Sequence, residues 1–145
     1  MLSVTDLLIQ TTLGFVVTIG FAVLFNVPRE ALLQSAIIGA GGHLLRFSLR
    51  TLGLSLEVAT FCGAFAVGLA GYLMARRLHM PRLVFTVTGI ISMVPGIPAY
   101  EAIIHFSNGD ALQGLQSVVR ATLITGAIAG GLSTARLITE IGSGS

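Results

Sequence analysis

Met93-Val94-Pro95-Gly96-Ile97-Pro98-Ala99-Tyr100 lies in the middle of an otherwise apolar segment, Leu83 to Phe106. Two prolines flanking a glycine remove backbone donors and break helical geometry. The segment has the roughly 20 residues a membrane crossing needs, so it predicts a discontinuous transmembrane helix. Irregular backbone exposed to lipid is not tolerated in hydrocarbon, and unwound peptide there must be buried in protein or line a wet cavity. A half-helix starting at Pro98, with Ala99 and Tyr100 in its first turn, would aim N–H groups and partial positive charge at an anion. The plainer reading is that Pro95 and Pro98 only kink a structural helix.

The rest of the chain supports a membrane setting. It has 145 residues, 54% hydrophobic and 10% charged, with a mean hydropathy of +0.92. A soluble domain carries about 25% charged residues. The expectation is therefore an all-α, polytopic membrane helix bundle, with residues 1–141 as one transmembrane domain. Gly142-Ser143-Gly144-Ser145 reads as a linker or cloning remnant. Leu7 to Phe25 is a charge-free run that lacks a signal peptide's positive flank, so it reads as a retained span ended by Asn26-Val27-Pro28. Arg29 to Leu52 is weaker as a span, but Ser35, Gly39, His43, Arg46 and Arg50 fall on one stripe, which should face protein or water. Leu56 to Ala75 is a strong span with a stripe of small and polar residues, from Glu57 and Thr60 to Gly71 and Ala75, that lets helices approach closely. The broken segment is fourth, and Leu112 to Ile138 is fifth. The count is five transmembrane helices, or four if the second segment re-enters or lies at the interface. Arg76, Arg77, His79 and Arg82 around Pro81 form the most basic loop, which the positive-inside bias places in the cytoplasm together with the C-terminus.

Composition also excludes functions. A net charge of +2 without a dense basic run does not suit nucleic acid. Cys62 is the single cysteine, so neither an intramolecular disulfide nor a cysteine metal cluster can form. Gly39-Ala40-Gly41-Gly42 lacks the strand context of a dinucleotide fingerprint and reads as helix packing. No nucleophile elbow, paired-carboxylate motif or metal-ligand spacing is present. The sequence therefore predicts no enzyme, no cofactor and no metal.

Ionisable groups inside spans mark substrate pathways or ion pairs. Arg46 and Arg120 can hold an anion through the guanidinium fork, although snorkelling to the head groups is an equal reading. His43 shares the Arg46 face. Glu57, Glu101 and His105 are the proton-coupling candidates, with His105 one helical turn after Glu101. An interfacial histidine or a water-bathed acid is the commoner outcome for such residues.

Several motifs together resemble the threonine/serine exporter family. They are Gly20 to Pro28, the Gly-His and Arg of Gly39 to Arg46, Ala59-Thr60-Phe61, Pro81 with Val84-Phe85-Thr86-Val87, and above all Met93 to Tyr100. The resemblance covers Gly20 to Ile104 and is to the small subunit, which corresponds to the C-terminal transmembrane half of single-chain exporters. Ser92 stands where that family often has a second proline. The resemblance implies a multi-pass protein of the bacterial inner membrane that works with a larger, separately encoded membrane subunit. It implies export of threonine and serine or of a dicarboxylate such as succinate, all carboxylate-bearing. Driven by the proton gradient, alternating access would rock helices around the break. The substrate site expected is Pro95, Gly96, Tyr100 and Glu101, with Arg46 and His43 opposite and Asn26 capping or lining the cavity. The alternatives are a non-transporting subunit that stabilises a larger partner, or a pore formed by a homo-oligomer.

Overall fold

The computed structural model describes residues 4–141; the Gly-Ser tail lies outside the described residues. The described chain is helical throughout: α1 (Val4–Leu24), α2 (Arg29–Thr51), α3 (Leu56–Leu78), α4 (Leu83–Ile90), a 3-10 turn (Ile91–Met93), α5 (Gly96–Ser107) and α6 (Ala111–Ile141).

Local chemistry sets the boundaries. Asn26 takes a left-handed φ of 57° between α1 and α2, a conformation asparagine tolerates better than most residues. Ser55 caps α3 by accepting a 3.3 Å bond from the Val58 N–H, which satisfies one of the free donors of the first turn. α3 ends at His79, also left-handed at φ 54°, and Pro81 follows, as is common after a helix end of this type.

Glycines set the helix spacing. A Cβ at Gly39 would run into the Thr18 side chain, and one at Gly42 into Val67. At Gly131 it would meet the Phe61 carbonyl oxygen and the Phe65 nitrogen, which are backbone atoms of α3. Close approach of this kind replaces the hydrophobic drive that lipid does not provide between helices. α2 packs on α1, α3 and α4, while α5 packs on α6. Val67, Phe85, Met93 and Ile124 are fully buried where these faces meet.

The same contacts fix the path of the chain. Phe61 meets Gly130 and Gly131, and Gly68 meets Ala135, so α6 runs parallel to α3. Two consecutive spans joined by a short loop would be antiparallel. The chain must therefore return to its starting end between them, and α4 with α5, bent by 51° at the break, makes that return. The pair is a broken span rather than a re-entrant loop. Thus one end of the bundle carries the Asn26 turn, the basic loop and Ile141, and the other carries Leu52 to Ser55 and Asn108 to Asp110.

Among the described residues three helices are long and apolar enough to cross a membrane (α1, α3 and α6), and the bent pair makes four. The expected count of five is thus one too high by this measure, because α2 fails it. Its charges, Arg29, Glu30, Arg46 and Arg50, lower its hydropathy. α2 still runs the length of the bundle, antiparallel to α1 through Thr18 against Gly39 and to α3 through Gly42 against Val67. Its polar stripe is turned into the bundle, with Ser35 and Gly39 buried and His43 and Arg46 partly buried, while Leu33 and Ile37 face outward.

Candidate functional site at the helix break

α4 stops because Pro95 and Pro98 cannot supply the N–H groups a continuous helix needs. The new helix begins at Gly96, with Pro95 at its cap, two residues earlier than the expected start at Pro98. Pro98 instead occupies the first turn, where a missing donor is harmless. That turn offers fewer free amides to an anion than its polarity suggests. The Gly96 N–H donates to the Val94 carbonyl at 2.8 Å and the Ala99 N–H to the Pro95 carbonyl at 3.2 Å. Pro98 has none, so Ile97 carries the one amide in the turn not taken by these bonds.

The break opens a cavity of about 400 Å³ between α2, α5 and α6, reaching α1 through Gln10 and α3 through Leu56. This lies within the range of small-molecule sites. His43 and Arg46 from α2, Pro95, Gly96 and Glu101 from the break and α5, and Arg120 from α6 all line it. Arg46 Nη1 donates to the Met93 carbonyl at 3.2 Å, so the carbonyl exposed where α4 unwinds is satisfied by a cation, as suits the negative end of a helix. His43 Nε2 donates to Gln10 Oε1 at 3.0 Å, tying α1 to α2 across the wall. The ring lies beside the Ser92 backbone. Its buried Nδ1 and the buried Ser92 hydroxyl make no hydrogen bond of acceptable geometry.

Other expected site residues lie elsewhere. Tyr100 is 65% exposed on the outer side of α5 and does not line the cavity. Asn26 lines a small groove with Pro28, Val84 and Thr88 at the opposite end of the bundle. Glu57 shares a shallow groove with Arg120 between α3 and α6, and His105 lies further along α5. Gln10 and Arg50 line the cavity without having been expected. Gln10 reaches it by pairing with a residue 33 positions away, which no local pattern reveals. Arg50 was legible as part of the α2 stripe.

A polytopic helical bundle with an arginine-lined cavity at a broken span is an arrangement that many membrane transporters use. Residues 10–138 match the family described as Threonine/Serine exporter, ThrE, and the chain belongs to that family. It is 38% identical over 128 residues to an uncharacterized protein of Haemophilus influenzae (strain ATCC 51907 / DSM 11121 / KW20 / Rd). That match covers 83% of this chain and 43% of the relative, so the chain spans less than half the length of the curated relative it matches. No solved structure matches the chain.

Proposed function

We propose that this chain is the small membrane subunit of a secondary exporter that moves threonine or serine outward across the bacterial inner membrane, and that the cavity at the break holds the substrate. The observation that carries this reading is the convergence of Arg46, Arg50 and Arg120 on one cavity, against Glu101 as the only carboxylate among its described lining residues. A guanidinium has five donors. Arg46 uses one on Met93, and the rest of its fork can take the substrate carboxylate.

Glu101 faces the same space and suits an α-ammonium group. A dicarboxylate is the second reading, favoured by the surplus of arginines.

With the basic loop on the cytoplasmic side, as the positive-inside bias favours, the cavity would lie in the outer half of the membrane and open outward. The curated relative is more than twice the matched length, which supports a second, larger subunit supplying the rest of the transporter. Exposed apolar residues on α1 and α5, such as Val16, Ile97 and Ile103, offer faces for it and for lipid.

The test is efflux of threonine, serine and succinate from proteoliposomes under an imposed proton gradient, with this chain and the larger subunit together or apart. Saturable efflux requiring both chains is expected. Unsaturable flux through this chain alone would replace the exporter with a pore, and no flux from both together would leave a structural subunit. In the complete system Glu101→Gln should lower threonine efflux about tenfold, roughly 1.4 kcal/mol of binding or barrier, and should spare succinate.

A further inference from the structure

A second cleft opens at the other end of the bundle, between α3, α4 and α6, with a volume of about 590 Å³. We infer that it binds the phosphate ester of an anionic phospholipid headgroup. This rests on a site remote from the helix break and stands apart from the transport reading.

Two arginines converge there. Arg82 is held from two sides: its guanidinium lies 4.3 Å from the Tyr72 ring centroid, and Nη1 donates to Thr139 Oγ1 at 3.2 Å. The remaining edge of the fork is thereby fixed toward the cleft at little entropic cost, the arrangement that favours bidentate phosphate binding. Arg136 stands across from it, paired with Glu140 at 2.7 Å on the exposed rim. Two guanidiniums against one carboxylate leave a single positive charge, which matches the single negative charge of a phosphodiester.

The surroundings suit a lipid rather than a free anion. Leu83, 69% exposed, and Leu132 give the cleft an apolar wall, while Gly68, closed against Ala135, forms its floor. Arg76 and Arg77 end α3 at the same level. Basic pockets between transmembrane helices are where lipid head groups bind. The exposed Leu83 offers an acyl chain an apolar path out of the cleft.

Native mass spectrometry of the full chain in detergent, with phosphatidylglycerol or phosphatidylcholine added, tests this. Retention of phosphatidylglycerol over phosphatidylcholine is expected, with binding weakened about fivefold by Arg82→Gln and by Arg136→Gln and unchanged by Arg29→Gln, at the same end but outside the cleft. Arg82 also ties α4 to α6. Arg136→Gln, on the rim, therefore carries the test if the Arg82 variant unfolds in a thermal melt. Equal retention of the two lipids, or equal loss in all three variants, would overturn the inference. Displacement of phosphatidylglycerol by equimolar inorganic phosphate would also overturn it, and would mark a free-phosphate site.

Discussion

Arg46 stands between two helix ends of opposite polarity. The carbonyl end of the unwound α4 holds it through Met93, and the amide end of α5 faces it across the cavity. It therefore serves both the shape of the break and the charge of the cavity. Arg46→Ala should abolish export while leaving the amount of membrane-inserted protein unchanged, because the apolar spans decide insertion; immunoblotting of membranes beside an efflux assay separates the two. Arg46→Lys keeps the charge but cannot grip a carbonyl and a carboxylate with one planar fork, so efflux should still fall about tenfold, roughly 1.4 kcal/mol. Arg120, exposed on α6 and not engaged by Met93, should behave differently: Arg120→Ala raises the substrate concentration for half-maximal efflux with little change in the maximal rate. A normal value in that variant would remove Arg120 from the site.

Among the elements, α5 shows what a single sequence can and cannot disclose. The break was legible, because no helix runs through Pro-Gly-Ile-Pro. Its exact start was not, since either proline can open a helix and only the observed hydrogen bonds place it at Gly96. Nor was the direction in which α5 faces, which depends on packing against α6; Glu101 therefore lines the cavity while its neighbour Tyr100 points away. The α2 and α3 stripes were readable, and Ser35, Gly39, Thr60 and Gly71 are indeed buried. Asn26 was misplaced because a turn residue and a cavity residue share the same polar, small character. The α3–α6 contact carries its own prediction. Gly131→Leu forces a side chain into the backbone of α3 and should cost about 1–3 kcal/mol, visible as a lower thermal midpoint in detergent. Gly126→Leu, at a position with nothing within 4 Å, should leave the midpoint in place.

For the whole molecule, the parallel run of α3 and α6 makes the broken span a full crossing, and the cavity then occupies one half of the bundle while the basic loop closes the other. The proposed outward opening is tested directly by labelling. Gly96→Cys in a Cys62→Ala background, co-expressed with the larger subunit in intact cells, is exposed to a membrane-impermeant thiol reagent with and without threonine outside. Labelling from outside that threonine slows is expected, while Gly126→Cys in the same background should show no threonine effect. A Gly96→Cys thiol unreachable from outside, or labelled at the same rate whatever the threonine concentration, would contradict a substrate cavity at the helix break.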